Sequence, residues 1–227
     1  MQTVFRQPVI ALATYNEAKT IGRILDELDR YLVVVVDDSS PDGTGSIVRT
    51  RTNAQLVTRY HKQGIASAYV TALRQALLAD PLYVVQMDAG MTHDPKDVRR
   101  MCSMQANTRA DLVIGSRFCN GVQVFTHRTA VSMGAALLMR LIGVNVRDAT
   151  SGFRLWRSDL LERVLAVGPI KAHGFAFQLE LLYRASKLGA RIVEFPIEYK
   201  LGNSSFNQKM VVEAFKIYGG LTIDYLF

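Results

Sequence analysis

Carboxylates in the first half of the chain have the types and spacing expected of a nucleotide site. Glu17, Asp37, Asp38 and Asp88 each stand shortly after an apolar segment that is predicted to be a strand. Acids at such positions accept hydrogen bonds from a base or ribose, or hold a divalent cation on a diphosphate. A lone aspartate there is often only a helix cap or a turn former. Acids after several strands of one sheet favour a ligand site instead.

Basic residues near the same segments supply charges for phosphate groups. Arg59, Lys62 and Arg117 follow predicted strands, and both residue types bind phosphate oxygens. The chain has 27 Lys and Arg against 20 Asp and Glu, a formal net charge of +7. That surplus favours nucleotides, anionic lipid headgroups or nucleic acid as partners, unless it is simply a basic surface. Nucleic acid stays possible, although no motif of interleaved aromatic and basic residues supports it.

Residues 1–117 are predicted to alternate strands with helices. The predicted strands are Val9–Ala13, Leu32–Val36, Ala54–Thr58, Leu82–Met87 and Asp111–Ile114. Continuous β-branched runs such as Leu32–Val36 are typical of parallel strands covered on both faces. Right-handed crossovers bring the carboxyl ends of such strands to one edge, where open α/β sheets bind their ligands. We therefore expect an α/β fold with a mostly parallel, Rossmann-like sheet and helices on both faces.

Residues 118–227 mix helices, turns and a late strand. Periodic apolar residues predict helices over Ala130–Ile142 and Phe177–Leu188, and Val211–Phe227 is amphipathic. Asp148–Arg157 combines turn and strand signals, and Arg191–Pro196 is predicted to be a strand. No internal repeat divides the chain, so we expect a single domain over residues 1–227.

Missing motifs and composition exclude several classes of protein. There is no GxxxxGK(S/T) loop, no GxGxxG after the first strand and no GxSxG elbow, which argues against P-loop NTPases, dinucleotide-binding dehydrogenases and serine hydrolases with that elbow. The four histidines are scattered, so no zinc site is evident. Two cysteines without a CxxC pair favour a reducing compartment. Since no apolar run reaches about 18 residues and the first residues lack a signal-peptide core, we expect a cytoplasmic protein, soluble or peripheral to a membrane.

Several short motifs stand in the order in which one known family has them. They are TYNE at Thr14–Glu17, VVDDSSPDGTG at Val35–Gly45, MDA and HDP within Met87–Pro95, GSR at Gly115–Arg117, and the later segments TSGFR and GFAFQLE. The chain resembles the family 2 glycosyltransferases of GT-A fold, and most closely the dolichol- or polyprenol-phosphate mannosyltransferases. The resemblance implies transfer of a hexose, mannose from GDP-mannose, to a polyprenyl or dolichyl phosphate.

The resemblance implies a nucleotide-sugar site within residues 1–117. Tyr15, Glu17 and Asp38 would surround the base and ribose, and Asp37 would shape the pocket. Asp88 would be the acid on the metal and donor side, and it would be catalytic together with Arg117. The full donor set that the resemblance implies is Ala13, Tyr15, Glu17, Val36, Asp37, Asp38, Arg59, Lys62, Gly64, Asp88 and Ala89.

The resemblance also implies an acceptor site, mainly in residues 118–227. Arg117, Arg128 and Ser132 would receive the acceptor phosphate, and Lys200 would replace an arginine of a late family loop. Arg128 and Ser132 lie four residues apart on a predicted helix, so they share a face. The implied reaction is one displacement at the anomeric carbon with inversion. Because the acceptor phosphate is already anionic, alignment and charge stabilisation would replace a strong general base.

One position departs from the family pattern. The family has Asp-x-Asp after the fourth strand, whereas this chain has Asp88-Ala89-Gly90. Mg²⁺ and Mn²⁺ prefer oxygen ligands, so the missing carboxylate predicts metal binding that is weaker, rearranged around Asp88, or absent. Two alternatives stay open. One is a non-lipid acceptor (protein, glycan or modified nucleic-acid base) with Asp88 or Asp94 as base, and the other is a catalytically impaired nucleotide-sugar-binding protein.

Overall fold

The computed structural model of the protein describes residues 7–121, 126–172 and 174–198, except for the side chains of residues 127 and 128. The strands are β1 (Val9–Thr14), β2 (Val33–Asp37), β3 (Ala54–Thr58), β4 (Tyr83–Asp88), β5 (Leu112–Ser116), β6 (Arg154–Arg157) and β7 (Ile192–Pro196). The helices are α1 (Ile21–Glu27), α2 (Thr44–Arg49), α3 (Ile65–Leu77), α4 (Asp97–Thr108), α5 (His127–Leu141), α6 (Ser158–Ala166) and α7 (Phe177–Lys187). Each strand predicted from the sequence overlaps an observed one.

The strands form one mostly parallel sheet. Their order is β3-β2-β1-β4-β6-β5-β7. β6 runs antiparallel to both of its neighbours, β4 and β5, and the other pairs are parallel. The predicted fold class is therefore confirmed. The insertion of β6 explains why Asp148–Arg157 carries both turn and strand signals, since a loop must reverse the chain before this strand begins.

The strand β2 shows how the sheet is covered on both faces. Its valines, Val33, Val34, Val35 and Val36, are all fully buried. Val34 and Val36 belong to the core beneath α3, α5, α6 and α7, whereas Val33 and Val35 belong to the core beneath α1, α2 and α4. Successive side chains of a strand point to opposite faces, so a run of valines fills both layers. Full burial of one such side chain contributes about 1.5–3 kcal/mol, so β2 anchors the acids that follow it.

The register of the parallel strands brings the acids to one edge, as predicted. Thr14 at the end of β1 pairs with Asp37 at the end of β2. Ala13 pairs with Asp88 at the end of β4. Because β1 lies between β2 and β4, the carboxyl ends of all three strands open toward the same side. This edge is where an open α/β sheet places its ligand.

Two local expectations differ from the structure. An asparagine shortly before a helix often serves as its N-cap, but α1 begins after Thr20 and Asn16 adopts a φ of 60°. The backbone N–H of Asn16 donates to the Ser40 hydroxyl at 2.9 Å, and that of Glu17 donates to the Thr44 hydroxyl at 2.9 Å. These two hydrogen bonds hold the TYNE segment against the loop after β2, so the helix begins four residues beyond Glu17. Helix α6 was not predicted at all.

Some expectations fall on residues outside the described part of the chain. Among these are the amphipathic segment Val211–Phe227 and the side chain of Lys200. Within the described residues, no helix combines the length and the apolar character needed to cross a membrane.

Candidate active site

Asp37 shapes the loop that follows β2. Its side chain is buried, with 2% exposure. One carboxylate oxygen accepts from the Thr14 hydroxyl at 3.0 Å, and the other accepts from the Ser40 backbone N–H at 3.0 Å. A carboxylate used in this way rigidifies the loop rather than facing a ligand. The predicted shaping role of Asp37 is compatible with this arrangement.

Asp38 and Arg59 form a two-pronged ion pair at the same edge. Arg59 Nε donates to Asp38 Oδ1 at 2.5 Å, and Nη2 donates to Oδ2 at 2.7 Å. Arg59 Nη1 also donates to the Ser67 hydroxyl at 2.7 Å. Both side chains are nearly buried, at 5% and 9% exposure. The sequence predicted that Arg59 would neutralise a phosphate, but its guanidinium is bound to Asp38. The two opposite charges balance each other, and the pair forms a rigid side of the site.

Tyr15 and Lys62 make an accessible pair at the rim. The Lys62 ammonium lies 4.0 Å from the centre of the Tyr15 ring, and both residues are exposed. This cation–π contact holds an aromatic face and a positive charge together. Gly64, just beyond, has a φ of 92° at the N-cap of α3, a backbone conformation that favours glycine. The two donor-site predictions Tyr15 and Lys62 therefore lie side by side.

Asp88 ends β4 with a carboxylate that is 31% exposed. The Tyr69 hydroxyl donates to its Oδ1 at 2.7 Å, and the Thr92 hydroxyl donates to Oδ2 at 3.3 Å. The backbone N–H of Asp88 donates to His93 Nδ1 at 3.2 Å. Asp88 thus has a carboxylate that solvent or a ligand can reach, while protein donors fix its orientation.

His93 supports this acid from below the surface. It is 2% exposed, and its ring stacks on Phe153 with 4.8 Å between ring centres. Burial lowers the pKa of His93, and the negative charge of Asp88 partly opposes that effect. Since Nδ1 accepts a hydrogen bond, the proton of the neutral ring lies on Nε2, which is 3.9 Å from Asp88 Oδ2.

A second polar cluster joins β5, α5 and the loop before β6. Arg117 donates to both oxygens of Asp148, at 2.8 Å from Nε and 2.7 Å from Nη2. Its Nη2 also lies 2.8 Å from the Thr150 hydroxyl and 3.3 Å from the Ser132 hydroxyl. Thr150 in turn donates to Ser132 at 3.0 Å. The structure thus brings together Arg117 and Ser132, two of the predicted acceptor residues, whereas the side chain of Arg128 lies outside the described part.

The loop before β6 is held by a buried arginine and a glutamate. Arg154 is fully buried and donates to the backbone carbonyls of Ala149, Ser151 and Gln178, each at 2.9 Å. Burial lowers the pKa of Arg154 to about 9, so the side chain stays charged at neutral pH. Glu194 on β7 accepts from the backbone N–H groups of residues 147 and 148, at 2.8 and 2.9 Å. The loop that presents Asp148 and Thr150 is therefore fixed on two sides.

Gly152 lets this loop approach the acid at the end of β4. A Cβ on Gly152 would lie 3.3 Å from Asp88 Oδ1 and 3.2 Å from Gln178 Nε2, which is tighter than most real contacts. Gln178 is 1% exposed, and its Oε1 has no hydrogen-bond partner among the described residues. A larger residue at position 152 would push Asp88 and Gln178 apart.

The remaining donor-site predictions supply backbone rather than side-chain functions. Ala13, Val36 and Ala89 line the strand ends, where the Val36 carbonyl accepts from Thr14 and the Ala89 carbonyl accepts from Thr20. Asp94, the alternative base, accepts from the Lys96 backbone N–H at 2.9 Å. It lines a separate pocket of about 300 Å³ with Asp97, Arg100, Asn120 and residues 196–198.

The segment after β4 does not form a preassembled metal site. Gly90 contributes no ligand, and a Cβ placed on it would lie 3.4 Å from Glu17 Oε1. The Glu17 carboxylate, which accepts from the Thr20 hydroxyl at 2.8 Å, thus lies beside the position of the missing acid. Among residues 7–198 that the structure describes, no three His, Cys, Asp or Glu side chains are grouped to hold an ion. Asp88 alone fits a divalent cation poorly.

Several residues of the site were missed by sequence reasoning. They are Tyr69, Thr92, Asp148, Thr150 and Gln178. Thr150 is the first residue of the TSGFR motif, Asp148 stands two residues before it, and Gln178 belongs to GFAFQLE, so the motifs themselves were a usable signal. Tyr69 gave no signal, because it occupies an apolar position of a helix.

The fold defines a class of protein. The structure of mannosyl-3-phosphoglycerate synthase from Rubrobacter xylanophilus matches with a TM-score of 0.68 at 17% identity, over 95% of this chain and 73% of that one. The structure of S. aureus TarS 1-349 in complex with UDP matches with a TM-score of 0.62 at 20% identity, over 95% and 65%. At these identities the likeness concerns the fold, which is that of the GT-A glycosyltransferases.

The family follows from sequence comparison. The family model described as "Glycosyl transferase family 2" matches residues 9–165. The chain belongs to this family and is a glycosyltransferase, as the motifs predicted. An undecaprenyl-phosphate mannosyltransferase of Micrococcus luteus is 37% identical over 218 residues, covering 89% of this chain and 88% of that protein. A polyprenol monophosphomannose synthase of Mycolicibacterium smegmatis is 31% identical over 229 residues, covering 93% and 86%.

Proposed function

We propose that the protein transfers mannose from GDP-mannose to the phosphate of a polyprenyl phosphate. The observation that carries this proposal is the cluster of Arg117, Ser132 and Thr150, which places a guanidinium and two hydroxyls together near the carboxyl edge of the sheet. Such donors suit a phosphate. One relative is named an undecaprenyl-phosphate mannosyltransferase and the other a polyprenol monophosphomannose synthase. Both names support a polyprenyl phosphate as the acceptor.

The donor would occupy the edge formed by β1, β2 and β4. Tyr15 offers an exposed ring for the base and Lys62 an exposed cation for a phosphate. Asp38 and Arg59 would form the wall beside the ribose, and Asp88 would face the diphosphate and sugar. Residues 1–117 thus bind the donor, and the acceptor lies mainly against residues 118–227.

The reaction would be one displacement with inversion. A phosphate oxygen of the acceptor forms a bond to the anomeric carbon while the bond from that carbon to the donor diphosphate breaks. The electron pair leaves with the nucleoside diphosphate, and no proton needs to move. Arg117 would align the acceptor phosphate, and its bonds to Asp148 hold the guanidinium in place.

The acceptor would be taken from a membrane surface along α5. Met133, Leu137 and Leu141 form an exposed apolar stripe on successive turns, with 43%, 60% and 66% exposure. Ser132 of the acceptor cluster adjoins this stripe, and the exposed Arg140 would meet anionic headgroups. Leu137→Gln should reduce binding to anionic vesicles but spare transfer to a short, water-soluble acceptor.

Both cysteines are free, which suits a cytoplasmic location.

A panel of labelled nucleotide sugars tests the proposal. Purified protein is incubated with GDP-mannose, UDP-glucose or UDP-galactose and a polyprenyl phosphate, with Mn²⁺ or with EDTA. Label from GDP-mannose should enter an organic-soluble product, and mild acid should release the labelled sugar from that product. Label that remains aqueous on protein or glycan would refute the lipid acceptor, and donor binding without transfer would indicate an impaired enzyme.

A further inference from the structure

Tyr69 is a buried hydroxyl donor to the acid at the end of β4. It lies on α3 and is 2% exposed. Its hydroxyl is 2.7 Å from Asp88 Oδ1 and 3.1 Å from the Met87 carbonyl. The contact to the carboxylate is the shorter one, and a hydrogen bond to a charged acceptor is about twice as strong as one between neutral groups.

The ring of Tyr69 has little freedom to move. It stacks on Phe177 at the start of α7, with 5.5 Å between ring centres and 20° between planes. Both rings belong to the core cluster beneath α3, α5, α6 and α7. Close packing on all sides fixes the rotamer, so the hydroxyl occupies one position relative to the sheet. The packing of α3 against α7 therefore fixes the Tyr69 hydroxyl, and through it the Asp88 carboxylate.

The other side-chain contacts of Asp88 are looser. The Thr92 hydroxyl is 3.3 Å from Oδ2, and His93 Nε2 is 3.9 Å from the same atom. The hydrogen bond to Oδ1 from Tyr69 is the shortest that Asp88 receives in the described structure. It therefore restricts the rotation of a carboxylate that is 31% exposed.

We propose that Tyr69 is a positioning residue that holds the Asp88 carboxylate in the orientation needed for transfer. This inference rests on the proposed function, in which Asp88 faces the donor. Because Tyr69 is 2% exposed, it would act on the donor through Asp88 rather than by direct contact. Misplacing a reacting group lowers kcat more than it weakens substrate binding, because alignment is lost in the transition state.

Tyr69→Phe tests the inference, since phenylalanine retains the stacked ring and removes only the hydroxyl. We expect kcat to fall on the order of 10- to 100-fold, with the KM for the donor changed by less than about three-fold. Tyr183→Phe is the matched control, because Tyr183 is also buried and its hydroxyl has no hydrogen-bond partner in the part of the chain that the structure describes. That control should keep the wild-type kcat. Equal kcat values for wild type and Tyr69→Phe would overturn the inference.

A double-mutant cycle separates positioning from general damage to the fold. The turnover number kcat is measured for Tyr69→Phe, Asp88→Asn and the double variant, and calorimetry with GDP-mannose checks that each variant still binds the donor. If Tyr69 acts through Asp88, its removal lowers kcat in the wild-type background and has no further effect on kcat in the Asp88→Asn background. An equal fall in kcat in both backgrounds would mean a structural role and refute the inference. Failure of the wild-type protein to transfer mannose would instead refute the proposed function.

Discussion

Arg117 and Asp148 meet through two side-chain hydrogen bonds, although they lie 31 positions apart in the chain. Asp148 also accepts from the backbone N–H of Arg117 at 3.1 Å, and its side chain is fully buried. The end of β5 and the loop before β6 are therefore locked together at one carboxylate. This lock determines where the Arg117 guanidinium lies and, under the proposed function, where it would meet an acceptor phosphate.

Removing the charge of Asp148 should affect stability and transfer together. Asp148→Asn leaves a mostly buried guanidinium without its counter-ion, and breaking one side of such a pair costs about 3–5 kcal/mol. We expect a lower urea midpoint and a reduced rate of transfer. Asp159→Asn is the control, because Asp159 pairs with Arg157 at the exposed surface and should cost less than about 1 kcal/mol. Similar losses in the two variants would contradict the prediction.

A second buried pair, Glu180 with Arg184, should govern stability without touching the site. Glu180 accepts from Arg184 at 2.7 Å and from the backbone N–H groups of residues 171 and 172. Glu180→Ala should therefore cost about 3–5 kcal/mol of unfolding free energy, measured in urea. Glu27→Ala removes a half-buried partner of the exposed Arg23 at the same helical spacing and should cost about 0.5 kcal/mol. A small loss in Glu180→Ala would show that solvent replaces its partners.

The sequence was sufficient to predict the edge where β1, β2 and β4 end, but not the contact between Arg117 and Asp148. Apolar strands followed by acids predicted that Asp37, Asp38 and Asp88 would lie at one edge, because parallel strands with right-handed crossovers leave little choice. The position of Asp148 depends on β6 entering antiparallel between β4 and β5. That pairing is non-local, and no local pattern encodes it.

Tyr69 illustrates a second limit. Its helix, α3, is rich in alanine, and an aromatic residue at a core position predicts packing only. The hydrogen bond to Asp88 depends on where α3 lies along β4. The spacing of apolar residues in the helix does not specify that position. Helix α6, by contrast, has Leu160, Leu161 and Val164 on one buried face, so its pattern was available.

Cys102 on α4 should make stability depend on pH in the alkaline range. Burial raises the pKa of the Cys102 thiol from 9.0 to about 11. Between these values the unfolded chain releases the thiol proton and the folded protein keeps it, so stability should fall as the pH rises through this window. The shift corresponds to about 2–3 kcal/mol. Urea midpoints at pH 8 and pH ~10.5 measure the effect.

Variants of Cys102 isolate this contribution from other groups that titrate. Cys102→Ala and Cys102→Ser both lack the thiol, so both should lose less stability between the two pH values than the wild-type protein does. The pKa of the nearby Tyr31 is also raised by burial and, to a smaller extent, by the Cys102 thiolate, so some slope will remain. Identical slopes in all proteins would mean that the thiol is not protected from water.

Gly90→Asp should create a divalent-cation site. Gly90 is not among the glycines with positive φ, and the added Cβ would meet Glu17 Oε1 at 3.4 Å, so an aspartate fits with little strain. It would place a second carboxylate beside Glu17, and a divalent cation relieves the repulsion between the two. We expect Mn²⁺ to raise the Tm of this variant more than that of the wild-type protein, since a bound ion stabilises the folded state by about 2.7 kcal/mol at 100 times its Kd. Gly90→Asn has the same shape without the charge and should respond like wild type, whereas an equal Mn²⁺ response in the Asp and Asn variants would place the ion elsewhere.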